Sequence, residues 1–212
     1  FIVLPPLLRD VLHLPPAEHG HWYLPVVVLS VLAMVPLLVW AERGRHLRGG
    51  MLAAVGLILA AQLTLALGHG GALIAAAVVV FLTGFNVLES LLPSMVSRLA
   101  PLTGKGAALG VYSTAQFAGA FVGGAGGGYL YGVAGATGVL VAGALLCVVW
   151  LAVLQIWRGP PPWLTRVERV GTMAPQQARA LEARFLGLAG VLQAVVIGES
   201  GVAYLKVDRH LF

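Results

Sequence analysis

Few residues in this chain have the type and setting for chemistry, and Glu89 stands first among them. From Gly49 to Leu88 there is no Asp, Glu, Lys or Arg, and then a single carboxylate appears. It follows Asn86 by three residues and precedes Pro93 by four. In a bilayer a carboxylate costs about 3 kcal/mol on insertion scales, so such an acid is a functional-site candidate by default. Asn86, at i−3, falls on nearly the same helix face. Gln116 adds a second uncharged hydrogen-bonding group in the next apolar run, at comparable depth. Pro93 removes an N–H, frees a backbone carbonyl one turn earlier and can kink the helix. The functional reading is a protonatable or substrate-contacting carboxylate on a polar face. The plainer alternative is a structural acid that holds two helices in register.

Other chemistries find little support. Ser94, Ser97, Ser113 and His69 are scattered, and no Ser–His pair sits at matched depth for nucleophilic catalysis. An enzyme is therefore not expected. His13, His19 and His21 are irregularly spaced with no acid to complete a ligand shell, and Cys147 stands alone in an apolar run. Neither a metal site nor a cofactor is expected. Gly119, Gly123 and Gly127 are four apart, which puts them on one helix face and lets another backbone come close. A phosphate-cradling loop fails here, because no strand precedes the glycines and no Gly-Lys-Ser/Thr follows.

Composition explains why these residues are so few. The 212 residues are 59% apolar and 10% charged, with a mean hydropathy of +0.92. Soluble domains average about 25% charged, so the chain reads as an integral membrane protein. The net charge of +5 does not point to nucleic acid, because the basic residues flank apolar spans.

A spanning helix needs about 20 apolar residues. Residues 1–8 read as the tail of one span, and 11–23 as a polar loop. Whole spans follow at 24–41, 50–67, 72–96, 107–131 and 137–157, the last two joined by an uncharged turn at 132–136. The expected architecture is an all-α transmembrane bundle of five whole spans plus the end of a sixth, over residues 1–158. Arg43, Arg45, Arg48, Arg98, Lys105 and Arg158 all fall on one side. The positive-inside rule makes that side cytoplasmic, together with the C-terminal tail. Glu89 then lies roughly 13 Å inside its helix end, counted back from Arg98 at about 1.5 Å per residue. The chain opens in mid-pattern and is expected to be a piece of a longer one.

After Arg158 the pattern changes. Residues 159–164, with Pro160, Pro161 and Pro162, form a stiff linker. Residues 165–212 read as a truncated α+β domain in the order β-α-β-β. The strands are expected at 166–171, 191–197 and 202–207, with a helix opening at Pro175 and ending at Gly190. Gly198-Glu199-Ser200-Gly201 is a hairpin signal. The order matches the first two-thirds of a ferredoxin-like βαββαβ unit.

Glu42, Arg43 and Arg45 lie in the short loop Glu42-Arg43-Gly44-Arg45-His46-Leu47-Arg48. An acid there can latch two helix ends through the positive N-terminus of a neighbour; simple positive-inside anchoring serves equally well. That loop resembles the repeat copy of the cytoplasmic Asp-Arg-x-Gly-Arg-type motif of major facilitator superfamily transporters. The run from Asn86 to Ser94, the run from Gly110 to Phe117 and the appended domain are similar to the YajR-like branch, and the resemblance covers essentially the whole chain. It implies the C-terminal half of a secondary transporter in the inner membrane. It also implies alternating access, a missing N-terminal six-helix half, a small-molecule substrate, and proton-coupled efflux of small molecules or drugs. The lipid bilayer is the remaining partner. Glu89, Asn86 and Gln116 would line the cavity, and Glu42, Arg43 and Arg45 would form the latch. The tail also resembles heavy-metal-associated domains, but the loop from Gly171 to Gln177 lacks their cysteines, which argues against soft-metal binding. A membrane-anchored sensory or structural protein, whose soluble tail binds a ligand or partner, is the alternative reading.

Overall fold

A computed structural model describes residues 2–10, 15, 18–43, 46–68, 70–157, 159, 163–208 and 211. The chain runs through six helices and three strands among these residues: α1 (Leu4–Asp10), α2 (His19–Arg43), α3 (Leu47–Leu67), α4 (Gly71–Leu99), α5 (Lys105–Ile156), β1 (Trp163–Arg169), α6 (Pro175–Leu186), β2 (Val191–Ile197) and β3 (Val202–Asp208). It divides into two units. One is Phe1–Leu92 with Ala115–Gly159, and the other is Pro93–Thr114 with Pro160–Phe212.

Four helices among the described residues, α2 to α5, are long and apolar enough to cross a membrane. Their apolar residues do not confine themselves to one stripe, which is the pattern of a helix with no aqueous face. Leu24, Leu32, Phe121, Leu146 and Ile156 all point outward, as lipid-facing side chains do. With the length of these helices, this makes the chain a multi-pass membrane protein.

At 25 residues, α2 is about 37 Å long, enough for a hydrocarbon core of about 30 Å. It starts at His19, inside the segment expected to be a loop. Trp22 and Tyr23 explain the early start. They pack against a buried cluster of Leu4, Leu8, Val26, Ile74, Val78 and Leu82, and their rings meet edge to face at 5.5 Å. Burying two aromatic rings stabilises the extra turn by more than the polar residues around it cost. Of the expected loop, 11–14, 16 and 17 lie outside the described residues.

Helix α5 runs for 52 residues and is broken at one point, Gly135, with φ 65° and ψ −165°. A side chain would clash in that conformation, so glycine is needed there. The turn expected over 132–136 thus narrows to a single residue between two apolar arms. Pro93 lies within α4, which continues past it to Leu99.

In the second unit, β3 is the middle strand of an antiparallel sheet ordered β1-β3-β2. β1 pairs from Trp163↔Asp208 to Arg169↔Val202, so the first strand begins three residues before the alternation of 166–171 suggests. Pro175 opens α6, and the Gln177 Oε1 accepts the Ala174 N–H at 3.2 Å. The helix stops at Gly187, not Gly190; the Gly187 N–H bonds back to the Ala183 and Arg184 carbonyls. Ala178 of α6 packs on Val196 and Ala203.

Candidate functional site

Glu89 and Gln116 meet. The Gln116 Nε2 donates to the Glu89 Oε1 at 2.7 Å, joining α4 to the first arm of α5. The carboxylate is exposed and the amide half-buried. The distance lies at the short end of the N–H···O range. The pair is a polar bridge between two long apolar helices. Because Pro93 has no N–H, the carbonyl of Glu89 itself is left without its usual α-helical donor.

Asn86 turns another way. Its Nδ2 lies 3.4 Å from the Oγ of Ser30, on α2. Ser30 is fully buried and donates its own hydroxyl to the Val27 carbonyl at 2.8 Å. Thr83, one turn before Asn86, lies 3.4 Å from the Ser30 carbonyl and donates to Val79 at 2.7 Å. Ser90 donates to the Asn86 carbonyl at 3.0 Å and approaches the sulfur of Met34 on α2. Helix α4 therefore has two polar edges: Thr83, Asn86 and Ser90 toward α2, and Glu89 toward α5. Ser30 was not singled out in the sequence; a lone serine in an apolar run gives little warning.

The expected latch is only partly placed. Glu42 is half-buried in the last turn of α2, Arg43 beside it is exposed, and Arg45 lies outside the described residues. Arg48 ties two helix ends together. Its Nε donates to the Leu154 carbonyl at 2.9 Å. One terminal nitrogen donates to the Gln155 carbonyl at 2.6 Å and approaches the Gln155 side chain at 3.3 Å. The last four carbonyls of a helix have no partner within it and carry partial negative charge, so a guanidinium fork at the end of α5 answers both needs. The basic loop pattern announced positive charge here but not its acceptor. Close by, the ring of Trp40, in the last turns of α2, stacks on that of His46 at 5.1 Å.

Nothing described lies within 4 Å of a Cβ placed on Gly119 or Gly123, and one on Gly127 would meet Ile2. A close approach of two helix backbones falls at Gly84 of α4, where a Cβ would lie 2.5 Å from the Ala54 carbonyl oxygen of α3.

A cavity of about 460 Å³ opens elsewhere in the same unit, walled by Val78, Phe81, Leu82, Gly123 and Leu140 among others. Among the described residues Gln62 is its single polar side chain, and neither Glu89 nor Gln116 lines it. The Gln62 amide also approaches the Cys147 sulfur at 3.4 Å. In the tail, a hollow of about 350 Å³ lies between the start of α6 and the β2–β3 turn, with Met173, Arg179, Glu182 and Glu199 on its wall. Among the described residues no three His, Cys, Asp or Glu are grouped to hold a metal ion. His13 and His69 lie outside the described residues.

The second unit has a polar junction of its own. Lys206 of β3 is 3% exposed, and its Nζ donates to the carbonyls of Leu99 and Ala100 at 3.1 Å each. Burial, and then the charge of Lys105, push its pKa below the usual 10.5.

Over 214 aligned positions the chain is 36% identical to the inner membrane transport protein YajR of Escherichia coli strain K12. The match takes in 100% of this chain and 46% of that protein, so the chain spans about half the length of the curated relative it matches. The YajR-like resemblance read from the residues is borne out over the whole chain. No protein-family model matches it.

Proposed function

We propose that this chain, a relative of YajR along its whole length, is the C-terminal half of a major facilitator superfamily transporter, with Glu89 as the carboxylate that couples substrate movement to protons. The observation that carries this reading is the 2.7 Å bond from Gln116 to Glu89 between two apolar helices. An exposed carboxylate within apolar spans costs energy that packing alone does not require. Charged, it draws the Gln116 amide and holds α4 against the first arm of α5. Protonated, it loses the charge that strengthens that bond and gains a donor of its own. One proton thus changes both the polarity of the site and the tie between two helices, which is what alternating access needs from a coupling group.

The rest of the architecture follows the same reading. The two arms of α5, parted at Gly135, count as two spans. With α2, α3 and α4 they make five, and α1 is the end of a sixth. The missing N-terminal six-helix half supplies the other wall of the substrate cavity, and the face of Gly119, Gly123 and Gly127 takes a close-packed helix. Glu42, Arg43 and Arg45 form a latch on the cytoplasmic side. Residues 165–212 form a cytoplasmic ferredoxin-like domain. Its support is the β1-β3-β2 order, in which β3 sits between the two parallel strands of a split β-α-β unit.

The test uses the full-length protein in inside-out vesicles, with ethidium and related lipophilic cations as probes. An imposed proton gradient is expected to drive uphill accumulation, and a protonophore is expected to abolish it. Accumulation that survives collapse of the gradient overturns proton coupling. No accumulation of any cation in the series overturns drug efflux.

A further inference from the structure

In β3 the side chains alternate between faces. Ala203, Leu205 and Val207 pack into the clusters under α6. Lys206 stands on the opposite face, with Gln193 of β2 as its cross-strand partner. The two neighbours reach the same short stretch of backbone. Lys206 holds the Leu99 and Ala100 carbonyls, and the Gln193 Oε1 accepts the Leu102 N–H at 3.2 Å. Leu99 is the last residue of α4, so its carbonyl has no donor within the helix, and an ammonium suits the negative end of the dipole. Ala100 is itself buried, at 6% exposure. A lysine is an expensive choice for this position. Its charge is desolvated and repelled by Lys105, whereas an apolar residue would bury without that cost in a strand that is otherwise mostly apolar.

We propose that Lys206 is a positioning residue, clasping the tail sheet to the Leu99 end of the helix that carries Glu89, so that the tail governs how far that end of α4 moves during transport. The clasp stands on the structure alone; its consequence rests on the transporter reading above. Gln193 is the second point of attachment, on the α4–α5 connection. Anything that shifts the sheet, such as a ligand or a partner on the tail, would then act on α4 through these two side chains.

Two readouts on the full-length protein in lipid nanodiscs and vesicles test this. The first is amide hydrogen exchange. Lys206→Met is expected to speed exchange over residues 97–104 by roughly tenfold or more, and Lys206→Arg to restore it to within about threefold of wild type. Amides of α6 and β2 should be unchanged. Wild-type exchange over 97–104 in Lys206→Met overturns the clasp. Should α6 and β2 also loosen in that variant, Gln193→Leu decides, because it leaves the buried charge in place. It must speed exchange at Leu102, and no change there overturns the clasp. The second readout is ethidium flux in the same variants. Lys206→Met is expected to change the maximal rate at least threefold with little change in half-saturation, again reversed by Lys206→Arg. Faster exchange with unaltered flux overturns the positioning role. Absence of flux in the wild type overturns the drug-efflux reading instead, while the exchange result still reports on the clasp.

Discussion

Replacing Gly84 with alanine should unseat α4 from α3. The added Cβ would come within 2.5 Å of the Ala54 carbonyl oxygen, 3.0 Å of Ile58 Cγ1 and 3.2 Å of Leu57 Cβ. Ordinary contact is about 3.5 Å, so the helices must part by about 1 Å, and the nearest obstacle is backbone, which no rotamer change can move. The seam they would open is dry, with Ala54, Val55 and Val87 fully buried. Overpacking of this kind costs about 1–3 kcal/mol, against which alanine returns about 0.5–1 kcal/mol for its better helix propensity. The steric term wins, for a net loss of about 1–2 kcal/mol. Gly56 of α3 is the control, because nothing lies within 4 Å of its Cβ position; there alanine should be neutral or stabilising. Unfolding by SDS titration in mixed micelles, followed by far-ultraviolet circular dichroism, measures both. A Gly84→Ala protein as stable as wild type would refute the close approach and with it the packing of α3 on α4.

Arg48→Ala should weaken the bundle by about 1 kcal/mol in the same titration, given the partial exposure of the pair. Arg48→Lys should recover less than half of that loss, because an ammonium lacks the fork that reaches Leu154 and Gln155 together. Lys206 sets a pH dependence. Its folded pKa lies below 10.5, so between the two values the unfolded chain binds more protons, and tail stability rises with pH through that window. Pulse proteolysis of the tail at several pH values from about 8 upward should show this rise in wild type and not in Lys206→Met. An equal slope in both would place its cause elsewhere.

The legible parts of this chain are those where one residue breaks a uniform pattern. Glu89 is legible because it interrupts an apolar run, and Gln116 because it stands at comparable depth in the next span. The hairpin at Gly198–Gly201 was equally clear, since glycine between two β-branched runs has few other uses. Asn86 shows where spacing stops helping. Position i−3 puts it on nearly the same side as Glu89, but whether its amide turns to Glu89 or to Ser30 depends on where α2 packs. Trp22 and Tyr23 extend α2 through tertiary burial that no local pattern declares. Among the glycines, Gly84 makes a tight contact with the α3 backbone that no repeat in the sequence announces. Nor could alternation in β3 say that the face holding Lys206 meets the end of α4.

The central claim is that Glu89 changes protonation during transport and does more than hold α4 to α5. Initial rates of ethidium flux, measured in vesicles across a series of external pH values with wild-type and Glu89→Gln proteins, address it most directly. Glutamine keeps the size and an acceptor oxygen for Gln116 but cannot titrate. The account predicts that the wild-type rate varies with pH and that the Glu89→Gln profile is flat. A variant with the wild-type pH dependence would contradict the claim and leave Glu89 a packing residue.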